Sequence, residues 1–319
     1  METLFLEVDR PAEDLVAFLA EALPDVPLGA IRRLVARGRV EVDGRRVGHQ
    51  WQPQPGQHIA VRLPEEPIVR FAPEPVEFDV LHETAHLLAI NKPAGLSVVP
   101  DPCSRECRLI NGLLHYVRHE SPSPCQRVYL VHRLDRGTSG VLLAAKDAAT
   151  ARHLSERFER REVTKLYLAV VGGEVAASGG AVDRKIAQGT RGRMRLRDRR
   201  GKPARSHWRV VERFRGFTLV EVRPVTGRQH QVRLHLSALG HPLAVDPLYG
   251  GAEAVFLSEF KRDYRPSRRR PESPLVDRLT LHAHRLELPL ADGSPLAVEA
   301  PLPDDLDRLL GALRKYAAP

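Results

Sequence analysis

Apolar positions in the first sixty residues recur at helical spacing twice and then alternate. AEDLVAFLAEA (12–22) and GAIRRLVAR (29–37) repeat leucine, isoleucine and valine at three- and four-residue intervals, which predicts two amphipathic helices. RVEVDGRRV (39–47) alternates on either side of Asp43-Gly44, a pair suited to the positive φ values of a tight turn, so it reads as a hairpin, with QHIAVRL near residue 60 as another strand. These elements make a small module over residues 1–63. Residues 64–78 (PEEPIVRFAPEPVEF) carry Pro64, Pro67, Pro73 and Pro75, which favour extended backbone and read as a linker. Across 79–319 the pattern is short β-rich runs, HLLAINKP, VLLAAK, KLYLAVVGG, FTLVEVRP and LTLHAHRLELPL. They are interrupted by helical LINGLLHYVRH, ATARHLSERFERR and HQVRLHLSALG, and DDLDRLLGALRKYA closes the chain as an amphipathic helix. The fold class is α+β, with no repeat of fixed period.

At 319 residues, 42% hydrophobic and 28% charged, the chain can bury a sizeable core. No apolar stretch approaches the roughly 18 residues of a spanning helix. The acidic start METLFLEVDRPAED lacks the order of a signal peptide, so a cytoplasmic protein without a membrane partner is expected. Three cysteines, Cys103, Cys107 and Cys125, fit reduced thiols better than a disulfide framework. A net charge of +9 and a pI near 9.8 make a polyanion a natural partner. Because 42 of the 49 basic residues are arginine, genomic base composition is an equally simple source of the charge. Its distribution says more: Arg184 to Arg205 holds ten basic residues and Lys261 to Arg270 six, as exposed loops or a surface that follows phosphates.

Candidate chemistry concentrates in VHRLDRGTSGVLLAAK (131–146), where Asp135 stands between Arg133 and Arg136, before Gly137 and an apolar strand. Two flanking guanidiniums favour an ionised carboxylate, and a glycine turn before a buried strand can hold it at a cleft. By spacing alone this is a nucleophile, an ion pair, or an aspartate capping its own turn with Thr138 and Ser139.

HRLDRGTSG resembles, almost position for position, the signature of the RluA family of RNA pseudouridine synthases. INKPAG (90–95), VTKLYLAVVGG (163–173), RPVTGRQHQVRLHLSALGHPL (223–243) and LTLHAHRLEL (279–288) follow in that family's order, so the resemblance covers about residues 78 to 290. It implies a mixed, mainly antiparallel sheet with flanking helices and a central cleft. The implied reaction is isomerisation of uridine in RNA, with no metal or other cofactor. The N-terminal module resembles the small alpha-L RNA-binding domain, with Arg32, Arg33, Arg37 and Arg39 as phosphate contacts; a plain packing module with exposed arginines is the alternative.

Residue by residue, the resemblance makes Asp135 the nucleophile and Arg133 the arginine that fills the space left by a flipped nucleotide. Tyr167 is the aromatic that stacks on uracil and approaches C5, and Lys165 is its support. Arg233 pairs with the nucleophile, Arg228 is second in line for that task, and Leu234 belongs to the apolar floor, with a plain core leucine as the equal alternative. Departures lie around the site: LAVDPLYG places Val245 before Asp246 where the family commonly has Gly-Asp, Gln229 replaces Thr or Ser, and Val99 stands where a His often precedes the Pro. Large-subunit ribosomal RNA is the expected substrate of a monomeric enzyme. Transfer RNA, or a noncatalytic assembly role on the same fold, are the alternatives.

Cys103, Cys107, His115 and His119 form a C-x3-C and H-x3-H arrangement whose seven-residue gap is short for a zinc finger, so zinc is not expected. A hydrolase would need a second carboxylate in a comparable motif, and the sequence offers none. Neutralising the basic residues between Arg184 and Arg205 is expected to weaken RNA binding and flatten its salt dependence, without abolishing reaction on bound RNA. Filter binding across a salt series checks this, and an unchanged slope counts against it.

Overall fold

The computed structural model describes residues 3–24, 26, 28–63, 72–98, 109–189, 193–197, 199, 201–266 and 270–319. The first six elements are β1 (Thr3–Glu7), α1 (Leu15–Ala22), α2 (Leu28–Ala36), β2 (Val40–Val42), β3 (Arg45–Arg46) and β4 (His58–Arg62). They form an antiparallel sheet in the order β1-β4-β2-β3 beside the two helices. Asp14 caps α1 by accepting from Ala17 N at 2.7 Å. The hairpin turn takes φ values of 48° at Asp43 and 74° at Gly44, and the Asp43 carboxylate also accepts from His58 N. β1 does not emerge from the hydrophobic pattern: five residues with Phe5 80% exposed give a weak alternation, and the partner β4 lies over fifty residues on.

The larger part follows as β5 (Asp79–Glu83), β6 (Leu87–Lys92), α3 (Leu109–His119), β7 (Tyr129–Leu130), β8 (Ser139–Ala145), α4 (Ala148–Glu159) and β9 (Thr164–Gly172). Next come β10 (Gly179–Asp183), β11 (Ile186–Gln188), β12 (Met194–Leu196), β13 (Arg205–Phe214), β14 (Phe217–Pro224) and α5 (Gln231–Ala238). The chain ends in β15 (Leu281–Pro289), β16 (Pro295–Glu299) and α6 (Asp304–Tyr316). One sheet runs β10-β13-β14-β9-β15-β8-β6-β5, with β16 on β15 and β7 on β8. Alternation along its strands sorts the helices. Leu88, Ile90, Leu142 and Ala144 pack with α3, while Ala89, Val141, Leu143 and Ala145 face Leu154 of α4. Similarly, Val170 and Leu219 meet α6, and Ala169, Val171, Val220 and Val222 meet α5.

The cluster under α4 is continuous with the apolar residues of the N-terminal elements, including Leu15, Leu19, Ile31 and Val61. Arg152 adds ion pairs to Glu13 and Asp14, and Arg127 donates to Leu23 O. The proline-rich stretch is docked in its described half: Asn111 Nδ2 donates to Ala72 O at 2.6 Å, and Phe78 meets the Tyr116 ring edge-on at 5.7 Å. Pro64 and Pro67 lie outside the described residues. The Arg184–Arg205 segment, read as loop, contains a hairpin in which Ile186–Gln188 pairs with Met194–Leu196.

Every ladder in the large sheet is antiparallel except one. β8 and β15 run parallel and share two residue pairs, His282 with Ser139 and Ala283 with Gly140. This short joint connects two antiparallel halves, and the cleft opens beside it. Gly140 has φ 113°, and a Cβ there would lie 2.2 Å from Ala283 O. Gly140→Ala is therefore expected to cost at least ~3 kcal/mol through positive φ and overlap together. Gly293→Ala, at φ 83° with open space around it, should cost only about 1 kcal/mol. Urea unfolding of the two variants checks the difference.

Candidate active site

The cleft has a volume of about 650 Å³. Its walls are the 131–135 loop that feeds β8, the β9 side chains Lys165 and Tyr167, the 224–233 segment entering α5, and Leu281. Asp135 and Arg233, ninety-eight residues apart, meet here: Arg233 Nη1 donates to Asp135 Oδ2 at 3.3 Å. The guanidinium holds a second carboxylate more tightly, since its Nε and Nη2 reach the two oxygens of Asp246 at 2.8 Å each. Asp246 is 1% exposed and its Oδ1 also accepts from Leu248 N. Burial disfavours the Arg233 charge, but the Asp246 bonds and the nearby Asp135 charge win and push its pKa above the ordinary value. With Asp246 along one edge and the Tyr249 ring 4.9 Å from Cζ, the guanidinium is held by two groups and presents Nη1 to Asp135.

Asp135 Oδ1 accepts no hydrogen bond among the described residues; its neighbour is His230 Nε2 at 3.9 Å. His230 precedes α5 with φ 56°, a left-handed conformation costly for a non-glycine residue. Its Nδ1 lies 2.7 Å from Tyr249 Oη, and the phenol oxygen accepts from Met194 N at 3.0 Å.

Lys92 supports the Asp135 loop from below. It is fully buried, and its Nζ donates to Pro93 O at 2.7 Å, Leu96 O at 2.9 Å and Arg136 O at 3.2 Å. Gly95 N donates to Arg136 O, and Arg136 Nε donates back to Gly95 O, both at 2.8 Å. Burial, and secondarily the Arg278 charge, pull the Lys92 ammonium down to about 7, against the pull of Asp135.

Tyr167 is half-buried on β9, and burial together with the Asp135 charge pushes its phenol well above the usual range, so it is protonated at neutral pH. Burial lowers the ammonium of Lys165, which sits 5.8 Å from the Phe158 ring. His132 stacks on that ring, and its Nε2 accepts from Leu143 N at 2.8 Å. Burial, aided by the Lys165 charge, holds its pKa near about 3, consistent with an acceptor nitrogen that must stay unprotonated. Arg133 is exposed on the cleft wall. Arg228 also lines the cleft, but its Nε donates to Pro203 O at 3.2 Å and it does not pair with Asp135. Leu234 corrects an expectation: it is buried with Ile186 and Ala204 behind α5, whereas Val232 and Leu281 line the cleft. The helical period explains this, because Leu234 follows Arg233 and points about 100° away.

Sequence reasoning did not select Lys92, His230, Asp246 and Tyr249. Lysine at the end of an apolar strand and aspartate inside the apolar LAVDPLYG run were the available signals, since a buried charge needs a partner. Among the zinc candidates, Cys103 and Cys107 lie outside the described residues, and His115 Nδ1 is 3.0 Å from Glu120. No helix among the described residues is long and apolar enough to cross a membrane.

A parallel joint between two antiparallel half-sheets, with an arginine-held aspartate in the cleft beside it, defines an RNA-modifying isomerase once set beside known proteins. Residues 86–238 match the family described as RNA pseudouridylate synthase. The chain is 36% identical, over 95% of its length and 89% of the relative's, to ribosomal large subunit pseudouridine synthase D of Xanthomonas campestris pv. campestris. It is 33% identical to the protein of that name in Escherichia coli K12, covering 93% and 89% of the two chains. An uncharacterized RNA pseudouridine synthase, YlyB, of Bacillus subtilis is 33% identical over 96% of each chain. Among solved structures, human RNA pseudouridylate synthase domain containing 4 superposes with a TM-score of 0.56 at 27% identity. That match covers 74% of this chain and 93% of the human one. The chain belongs to the RNA pseudouridylate synthase family, and its motifs are those of the RluA type. It is an isomerase that converts uridine in RNA to pseudouridine.

Lys92 carries a pH signature. Its folded pKa lies below its unfolded value of 10.5, so between pH 7 and 10.5 the unfolded chain binds the extra proton and stability rises with pH. Relative to Lys92→Met, the unfolding free energy of the native sequence should gain up to ~1.4 kcal/mol per pH unit between about pH 7.5 and 9.5. Urea titrations at several pH values measure it, and parallel pH profiles would contradict it.

Proposed function

We propose that this enzyme isomerises a uridine of large-subunit ribosomal RNA, as a monomer, with Asp135 as the nucleophile. The observation that carries the reading is the Asp135–Arg233 contact in the cleft, where one carboxylate oxygen is held by the guanidinium and the other has no donor among the described residues. The reaction breaks the bond from ribose C1′ to uracil N1, turns the ring and joins C1′ to C5, so no atom is gained or lost. It calls for a nucleophile, a face for the freed ring and loss of the C5 proton.

In this reading Asp135 Oδ1 attacks and Arg233 keeps the carboxylate oriented. Tyr167 offers its ring to the uracil from β9, and its protonated phenol suits donation to a uracil carbonyl better than removal of the C5 proton. Arg133 at the cleft edge takes the place vacated by the extruded nucleotide. Arg228 and Lys165 line the approach to the same space. The choice of large-subunit ribosomal RNA rests on the relatives of that name, which match this chain over most of both lengths.

Affinity comes from elsewhere on the surface. On α2, Ala30, Ile31, Leu34 and Val35 are buried while Arg32 and Arg33 are exposed, with Arg37 exposed just beyond, so residues 1–63 present a basic face. We assign this face to the phosphate backbone, through an alpha-L-type module joined by 64–78 to the catalytic domain at 79–319.

Pseudouridine mapping of total RNA from cells with the native gene, a deletion and Asp135→Asn tests the assignment. One or a few large-subunit sites should vanish in both altered strains. Loss confined to transfer RNA would replace the substrate. A site lost in the deletion but kept by Asp135→Asn would remove the nucleophile, and no change anywhere would favour a noncatalytic role.

A further inference from the structure

The basic β11–β12 hairpin and the nucleophile are joined by two side chains. Met194 N, on β12, donates to Tyr249 Oη at 3.0 Å, and the same oxygen lies 2.7 Å from His230 Nδ1. His230 Nε2 then faces Asp135 Oδ1 at 3.9 Å, with the His230 side chain 13% exposed. The hairpin is also packed on α5: Met194, Leu196 and Tyr249 border the cluster of Ile186, Ala204 and Leu234.

The proton positions follow by elimination. The phenol oxygen already accepts from Met194, and among the described residues the one acceptor in reach of its own proton is His230 Nδ1. A bare Nδ1 places the imidazole proton on Nε2, aimed at the carboxylate. Burial outweighs the pull of Asp135, and Arg233 and Arg133 oppose further charge, so His230 is neutral at pH 7 and this tautomer is the one present. His230 holds this position with a left-handed backbone, φ 56°, a conformation costly for a non-glycine residue.

We propose that Tyr249 and His230 are positioning residues, a hydroxyl–imidazole link that ties the basic hairpin to Asp135 and presents an N–H to its reacting oxygen. The proposal rests on Asp135 being the nucleophile. At 3.9 Å the His230 contact is not yet a hydrogen bond. It closes when RNA seated on the hairpin draws β12, and Tyr249 with it, toward the cleft. Arg233 then holds Oδ2 and His230 steadies Oδ1.

Tyr249→Phe keeps the ring beside Arg233 and in the apolar cluster while deleting the hydroxyl. His230→Asn keeps a residue that tolerates positive φ. Each should lower the single-turnover rate at saturating RNA about tenfold, the worth of one hydrogen bond that orients the carboxylate for attack, with RNA affinity unchanged within about twofold. The double variant should lose the same factor and not its square. In 15N spectra the imidazole signal absent from His230→Asn should report a bare Nδ1 in the native protein and lose that tautomer in Tyr249→Phe. A native rate in Tyr249→Phe, multiplicative losses, or a loss confined to affinity would overturn the link. Asp135→Asn run alongside separates the two claims: if it still turns over, the nucleophile is misassigned and the link falls with it. If it is inactive while Tyr249→Phe is unimpaired, the link alone is wrong.

Discussion

The site depends on one shared guanidinium. Arg233 is held by the buried Asp246 through two short bonds and spends its remaining edge on Asp135. A buried arginine with one carboxylate would be satisfied and rigid; with two it is rigid and still directional. The division is unequal by distance, 2.8 Å against 3.3 Å, and that inequality leaves Asp135 oriented without being fully consumed by an ion pair. Tyr249 completes the arrangement by covering the guanidinium face and receiving the hairpin amide, so the same aromatic serves charge and register.

The sheet explains why these groups can converge. Asp135 precedes β8, Tyr167 lies in β9, and Leu281 opens β15, so three neighbouring strands carry the cleft. Two residue pairs of parallel contact join the two antiparallel halves, and the glycine at the joint allows an approach that no side chain would. Lys92, at the end of β6, stitches the loop over this joint by donating to the carbonyls of Pro93, Leu96 and Arg136.

Much of this was legible in the chain. Helical and alternating periodicities located α1 to α6 and strands such as β6, β8, β9, β14 and β15, because each has a buried face with its own period. Short or edge elements left weak patterns: β10 and β16 turn most of their residues to water, and β1 buries none of its five fully. Asp135, Tyr167 and Arg233 came from family motifs and converge on one cleft, but spacing could not tell which carboxylate Arg233 prefers. Asp246 and His230 are defined by contacts across sequence separations of 13 and 95 residues, and no local rule reports such distances. Leu234 shows the limit from the other side: next to a cleft residue in sequence, it points into another core.

The apolar cluster beneath α4 continues without a break into the N-terminal elements. Leu87, Ala89 and Leu154 therefore have as neighbours side chains from a segment that a motif map would treat as a detachable attachment. Cutting there would uncover a greasy surface on both pieces, so removing residues 1–63 exposes apolar core as well as taking away basic side chains. Evolutionary exchange of the N-terminal elements is correspondingly constrained: a replacement must bring a matching hydrophobic face.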